Sequence, residues 1–133
     1  MTALLDSNCP CQSQQTYQDC CGRFHTHTQF PETAEQLMRS RYAAYVLKNV
    51  SYIVESTVPS QQALLNVQAI QTWAENTQWL GLQILKTETL SKLQSAVEFN
   101  AVFQGEEGEQ SHHERSIFVK IDEHWYFVDP TVP

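Results

Sequence analysis

Basic residues are scarce in this 133-residue chain, which has 8 Lys and Arg against 15 Asp and Glu and a formal net charge of −7. A surface of that sign repels nucleic-acid phosphates and anionic lipid head groups. We therefore expect no nucleic-acid partner and no membrane partner. No apolar run is long enough to span a bilayer, and residues 1–5 are too short for a signal-peptide core. The expected location is the cytoplasm.

Catalytic motifs are also lacking. Ser13, Ser40 and Ser116 lie outside any G-x-S-x-G context, and the four glycines form no phosphate-binding loop. Hydrophobic residues nevertheless make up 41% of the chain, which is enough apolar surface for one folded domain. The sequence indicates a compact protein without recognisable catalytic machinery.

Cysteine is absent after residue 21, and the four cysteines lie close together: Cys9, Cys11, Cys20 and Cys21. A disulfide framework would be spread through the chain that it stabilises, so this crowding favours a metal site. Two close pairs separated by a short loop can surround one tetrahedral ion, and four thiolates leave no open coordination position. The predicted cofactor is a structural zinc ion.

Three alternatives to a four-cysteine zinc site remain open. His25 and His27 are near enough in sequence for one of them to replace Cys20 or Cys21 as the fourth ligand. The adjacent Cys20 and Cys21 also allow a labile, redox-responsive site whose thiols oxidise as the metal leaves. The third alternative is four free thiols with no metal.

The composition changes at Pro31. Residues 1–30 are polar and cannot build a hydrophobic core, so they are the predicted zinc knuckle, and residues 31–133 are the predicted main domain. Thr33 begins a T-x-x-Q capping box and predicts a helix to about residue 49. A short helix should follow over 50–56 and, after Pro59, a third over 60–76. Four apolar residues predict the buried side of the third helix: Leu64, Val67, Ile70 and Trp73.

After Trp79 the apolar residues alternate with a period of two. This pattern predicts half-buried strands around residues 80–84, 97–103, 113–121 and 124–128, with a turn at Asp122 and Glu123. Helices followed by consecutive strands indicate the α+β class, with the helices packed on one face of a curved antiparallel sheet.

His113 and Arg115 share a predicted strand face with Ile117, Val119 and Ile121. Alternation would point this face toward the helices, so the two polar residues would line the funnel, meaning the cavity between the helices and the concave face of the sheet. There they would bind an anionic ligand, or else mark the point where the strand leaves the core.

Arg41 lies near the buried face of the first helix, and we expect it to form a salt bridge with Glu98 or Glu114 at the edge of the core. The histidines His112, His113 and His124 show no arrangement typical of a second metal site. The sequence contains five aromatic residues that we interpret as core packing: Trp73, Trp79, Trp125, Phe99 and Phe103.

Residues 9–22, CPCQSQQTYQDCCG, resemble the SEC-C motif, named for the C-terminal zinc segment of the SecA translocation ATPase. The rest of the chain resembles the YchJ family, in which this motif precedes a cone-shaped domain of the nuclear-transport-factor-like, or cystatin-like, kind. The matching segments are AEQLMRSRYAAY (34–45), VEFNAVF (97–103), HERSIFV (113–119) and WYFVD (125–129). The resemblance implies a cone-like fold, and the role of the family is unassigned.

Two departures from the SEC-C pattern matter. Gln12 and Gln14 replace glycines, and if those positions take positive φ each Gln costs about 1 kcal/mol. Gln15 and Thr16 replace lysines, which removes the basic surface of SecA-type motifs, so binding to SecB or the ribosome is not expected here.

The residues and the resemblance together favour a zinc-containing protein-interaction module with an unidentified protein partner. A small-molecule binder or an enzyme that uses the funnel is the alternative, and it rests on fold analogy. We expect the protein not to be an enzyme.

Overall fold

The computed structural model describes residues 5–133, so the first four residues of the predicted knuckle, and of the segment considered as a signal peptide, lie outside it. The helices are α1 Cys21–His25, α2 Ala34–Val46, α3 Val50–Glu55, α4 Pro59–Gln62 and α5 Val67–Asn76, and the strands are β1 Gln78–Ser91, β2 Gln94–Gly105, β3 Gly108–Ile121 and β4 His124–Val128. This order confirms the α+β class. None of these helices is long and apolar enough to cross a membrane.

Helix α2 begins as predicted, because the side chain of Thr33 accepts a hydrogen bond from the backbone N–H of Gln36 at 3.1 Å. The side chain of Gln36 accepts from the N–H of Glu32 instead of that of Thr33, so the box is displaced by one residue. The helix ends at Val46, before the predicted residue 49. Lys48 has a φ of +61°, a left-handed conformation that ends the helix.

The predicted third helix is two helices, α4 and α5, separated at Asn66, whose side chain accepts from the N–H of Ala69 at 3.0 Å. The predicted buried side is wrong at three of its four positions, since Ile70 is partly buried and packs against a cluster that includes Ile53. Leu64, Val67 and Trp73 are 57%, 45% and 46% exposed. The reason is that α5 packs mainly on α3 and approaches the sheet through Trp73, whose ring centroid lies 5.9 Å from that of His112.

The four strands form one antiparallel sheet in the order β1-β2-β3-β4, as predicted for a meander. Register shifts interrupt β1 at three points, and such irregularities bend a strand. The turn between β3 and β4 consists of Asp122 and Glu123, whose φ values of +49° and +70° suit a tight hairpin. The sheet is therefore curved, and its concave face meets the helices.

One hydrophobic core joins the knuckle to the main domain. Leu37 of α2 packs with Leu82, Phe99 and Phe118 of the sheet, and the same cluster contains Tyr17 and the four cysteines. A second, smaller cluster lies around Ile53 of α3. The interior of the knuckle is thus continuous with the core that the sheet and α2 enclose.

Candidate functional site

The four cysteine sulfur atoms lie together in the interior. All four Sγ atoms are within 4.8 Å of one another, and the four cysteines are free and buried. The Sγ atom of Cys20 is 3.6 Å from that of Cys11 and 3.9 Å from that of Cys21. Four ligands about 2.3 Å from a tetrahedral ion are separated from one another by about 3.8 Å. The cluster can therefore hold one metal ion.

Local hydrogen bonds bring the two cysteine pairs together. The N–H of Cys9 donates to the carbonyl of Gln15 at 2.8 Å, which closes the loop that carries the first pair. The second pair lies at the start of α1, where the N–H of Gly22 donates to the carbonyl of Tyr17 at 2.8 Å. A Cβ atom at Gly22 would lie 2.6 Å from that same carbonyl oxygen, so this turn requires glycine.

Hydrogen bonds among the thiols lower the pKa values of two cysteines and raise those of the other two. Hydrogen bonding from Cys21 lowers the pKa of Cys11 and lowers that of Cys20 to about 6. The hydrogen bond with Cys11 raises the pKa of Cys9 to about 12 and also raises that of Cys21. The Oγ atom of Ser13 lies 3.1 Å from the sulfur of Cys20 and further favours its thiolate. A metal ion bound by all four sulfur atoms would displace the protons that the thiols carry.

Two arginines contact the backbone of cysteines in the cluster. Arg39 donates from Nη1 to the carbonyl of Cys11 at 2.8 Å, and Arg23 donates from Nε to the carbonyl of Cys20 at 3.1 Å. A divalent ion with four thiolates carries net negative charge, which nearby guanidinium groups offset. This role of Arg39 could not be predicted from the sequence, because Arg39 reaches the cluster from a different helix.

Gln12 attaches the knuckle to the edge of the sheet. Gln12 and Gln14 have φ values of +66° and +72°, so both glutamines that stand in place of the motif's glycines adopt a left-handed conformation. The Oε1 atom of Gln12 accepts from the N–H of Leu82 at 3.1 Å, and its Nε2 donates to the carbonyl of Leu80 at 3.3 Å. A Cβ atom at Gly81 would lie 2.8 Å from Oε1 of Gln12, so Gly81 provides the space for this contact.

His25 and His27 lie outside the cysteine cluster. The Nδ1 atom of His25 lies 2.5 Å from the hydroxyl of Tyr17, and its Nε2 lies 2.8 Å from the carbonyl of Ser40. Burial lowers the pKa of His25, which favours a neutral ring that accepts at Nδ1 and donates at Nε2. The Nε2 atom of His27 lies 2.5 Å from a carboxylate oxygen of Glu55. The structure brings the four cysteines together without either histidine.

Comparison with known families agrees with this architecture. The family model described as the YchJ middle NTF2-like domain matches residues 33–130, and the SEC-C motif matches residues 7–23. The chain belongs to the YchJ family. A UPF0225 protein of Haemophilus influenzae strain Rd is 71% identical over 131 residues, covering 98% of this chain and 81% of that protein. A UPF0225 protein of Actinobacillus succinogenes is 56% identical over 133 residues, covering 99% and 84%.

Two solved structures have the same fold. A SEC-C motif containing protein of Psychrobacter arcticus is 41% identical with a TM-score of 0.92, and the match covers 98% of this chain and 85% of that one. A SEC-C motif containing protein of Rhodopseudomonas palustris is 44% identical with a TM-score of 0.84, covering 92% and 95%. The resemblance seen in the sequence is confirmed, and the YchJ family and its cone-like fold are shown.

The orientation predicted for His113 and Arg115 is wrong in this YchJ-family chain. Their side chains are 55% and 48% exposed on the outer face of the sheet, where they pair with Glu98 at 2.7 Å and Glu88 at 3.5 Å. The neighbouring position Ser116 is 4% exposed and faces the helices. The outer face of β3 also carries apolar residues, so alternation alone selected the wrong face.

Arg41 is buried without a carboxylate partner. Its Nη1 donates to the hydroxyls of Ser56 and Thr57 at 2.7 and 3.3 Å and to one backbone carbonyl of α3 at 2.8 Å. No carboxylate lies within 4.0 Å of it in the described part of the chain, so the predicted salt bridge to Glu98 or Glu114 is wrong. Neutral oxygens bind one nitrogen of this guanidinium, and its central carbon lies 4.2 Å from the ring centroid of Phe127.

The funnel is a cavity of about 360 Å³ beside Arg41, between α2, α5 and the concave face of the sheet. Polar and aromatic side chains line it, among them Arg41, Tyr45, Trp73, Trp79, Glu114 and Ser116. The interpretation of the aromatic residues as core packing holds for Phe99, which is buried, but Trp73 is a half-exposed wall of the funnel. From β3, therefore, Glu114 and Ser116 line the funnel, and not the predicted neighbours His113 and Arg115.

Proposed function

We propose that Cys9, Cys11, Cys20 and Cys21 bind one structural zinc ion and that the protein acts as a zinc-stabilised protein-interaction module. The observation that carries the proposal is the set of four buried sulfur atoms within 4.8 Å of one another. Zinc is the proposed ion because tetrahedral sites of four thiolates are typical of structural zinc. Such a site has no open position for a substrate, so its role is to hold the knuckle in shape.

A site of four thiolates requires reduced cysteines. Thiols in this arrangement persist where glutathione and thioredoxin keep cysteines reduced. We therefore extend the proposal to a cytoplasmic location.

The proposed partner is a protein that contacts the surface of the knuckle. Gln14, Gln15, Gln18 and Asp19 are exposed there, and no lysine is present among residues 5–30. Amide groups recognise a partner through hydrogen bonds, and their lack of positive charge disfavours an anionic partner surface. The contacts of Gln12 and Arg39 with the main domain give this surface a fixed orientation.

Metal analysis of protein purified under reducing conditions tests the zinc site. We expect one zinc per chain, strongly reduced in Cys20→Ser and unchanged in Ser60→Ala, a substitution at an exposed serine of α4. A wild-type content below about a tenth of an equivalent would show that the cluster does not hold zinc.

Site-specific crosslinking tests the interaction separately. A photoreactive side chain at Gln18 should crosslink a defined protein, and the same group at Glu109, on the hairpin between β2 and β3, should not. The product should disappear in the Cys20→Ser background and persist with His113→Gln. Crosslinks that do not depend on the knuckle would overturn the interaction role and leave the zinc proposal intact.

A further inference from the structure

The funnel contains buried polar atoms with no protein partner. Ser116 is 4% exposed, and its Oγ atom has no hydrogen-bond partner among residues 5–133. The same holds for the indole Nε1 of Trp79, and both residues line the funnel. A buried donor without a partner is costly for folding. Two such donors at the wall of one cavity are available to a bound water molecule or a ligand.

The funnel also carries charges of both signs that do not pair with each other. Arg41 provides a buried guanidinium, while Glu114 and Asp129 line the same cavity. Glu114 lies 3.5 Å from His112, and Asp129 accepts from the N–H and hydroxyl of Thr131. Neither carboxylate lies within 4.0 Å of Arg41. The cavity therefore presents separated positive and negative groups to a ligand.

The charges act on one another through the funnel. Burial raises the pKa of Tyr45, the charge of Arg41 opposes that shift, and the charges of Asp129 and Glu114 add to it. Tyr45 thus lies within the electrostatic reach of all three groups. In a low-dielectric cavity, opposite charges that do not meet are best neutralised by a ligand that carries both.

The remaining walls are aromatic. The ring centroids of Tyr45, Trp73 and Trp79 lie 5.8 to 6.0 Å from one another. Trp73 is 46% exposed although it stands beside the cavity, so a ligand would cover apolar surface that the protein leaves open. A volume of about 360 Å³ is within the range of small-molecule sites.

We propose that the funnel binds a small zwitterion with an apolar side chain, of the α-amino acid kind. Its carboxylate pairs with Arg41 and accepts from Ser116, its ammonium group pairs with Glu114 and Asp129, and its side chain packs on the tryptophans. A simple anion would face two carboxylates, and a simple amine would leave Arg41 without an anionic partner. Only a ligand with both charges satisfies both sides of the funnel.

A matched set of probes tests the charge requirement. Phenylalanine, 3-phenylpropanoate and 2-phenylethylamine share an aromatic body and differ in charged groups, and tryptophan fluorescence or calorimetry reports their binding. We expect phenylalanine to bind at least about tenfold more tightly than either analogue, with leucine and methionine as further zwitterions. The proposal is overturned if 3-phenylpropanoate or 2-phenylethylamine binds as tightly as phenylalanine. It is also overturned if phenylalanine, leucine and methionine all fail to bind at concentrations up to about 10 mM.

Substitutions on the two faces of β3 test the location without removing Arg41, whose hydrogen bonds support the fold. Ser116→Ala should weaken phenylalanine binding by about tenfold and leave the melting temperature unchanged or higher, because Oγ has no internal partner. Glu114→Gln should weaken binding of phenylalanine but not of 3-phenylpropanoate. Arg115→Gln, on the outer face, is the control and should have no effect. Unchanged affinity in both funnel variants would place the ligand elsewhere.

Discussion

The knuckle and the main domain differ in what holds their interiors together. The knuckle buries no large aliphatic side chain among its described residues, and its buried non-glycine side chains are Cys9, Cys11, Tyr17, Cys20, Cys21 and Phe24. The main domain buries Leu37, Ile53, Val97 and Phe118 almost completely. Apolar burial stabilises the main domain directly. The knuckle depends more on its sulfur cluster, on Tyr17 and Phe24 packed against the main domain, and on polar contacts.

Those polar contacts are few and can be named. Gln12 binds the backbone of β1, Arg39 binds the carbonyl of Cys11, His25 binds the carbonyl of Ser40, and His27 binds the carboxylate of Glu55. The two regions share a core, yet most of the hydrogen bonds across it involve side chains. We therefore expect metal removal and side-chain substitutions to change the stability of the knuckle and of the main domain by different amounts.

Removal of the proposed metal ion should separate the two regions most strongly. Zinc bound by four cysteines contributes on the order of 10 kcal/mol to the folding of small modules. Chelation should therefore remove hydrogen-exchange protection from residues 5–30 and leave that of the sheet in place. Cooperative unfolding of the whole chain on chelation would show that the main domain does not fold independently of the knuckle.

Arg41→Met tests how much a buried polar side chain contributes to the stability of the main domain. The substitution removes three hydrogen bonds that Arg41 donates, although the Ser56 and Thr57 hydroxyls still donate to the Ile53 carbonyl, so the free energy of unfolding should fall by about 2 kcal/mol. Arg39→Met on the same helix breaks a partly exposed contact and should cost about 1 kcal/mol. Urea unfolding of both variants compares them, and equal losses would mean that burial does not decide the difference.

Gly81→Ala should weaken the attachment between the regions. The new Cβ would displace the end of the Gln12 side chain, so the hydrogen bonds to Leu80 and Leu82 should be lost at a cost of about 1 kcal/mol. The same substitution in a Gln12→Gly background should cost little, because the contact is already absent. A double-mutant cycle measures this coupling, and additive effects would exclude it.

Glycine at the two left-handed glutamines should have the smallest effect. Gln14→Gly should raise the free energy of unfolding by about 1 kcal/mol, because it relieves backbone strain at an exposed side chain. Gln12→Gly relieves similar strain but loses two hydrogen bonds, so its net effect should be within about 0.5 kcal/mol. Denaturation with zinc present measures both, and a larger gain for Gln12→Gly would contradict the attachment role.

Local signals in the sequence predicted local structure well. Thr33 marked the start of α2, and Asp122 with Glu123 marked the last turn, because capping and tight turns depend on residues a few positions apart. The replaced glycines also pointed correctly to positive φ at Gln12 and Gln14. The face of a strand was less certain. Apolar residues on both sides of β3 gave Arg115 the wrong orientation.

The sequence by itself determined the α+β class, the meander and the proximity of the four cysteines in the chain, because these follow from periodicity and spacing. Only the tertiary structure decided which face of β3 lines the funnel, that Arg41 is buried without a carboxylate, and that Gln12 reaches β1. These features join residues that are far apart in the chain. Their geometry depends on how the sheet curves and on which layer each helix covers, and neither is encoded in a short stretch of sequence.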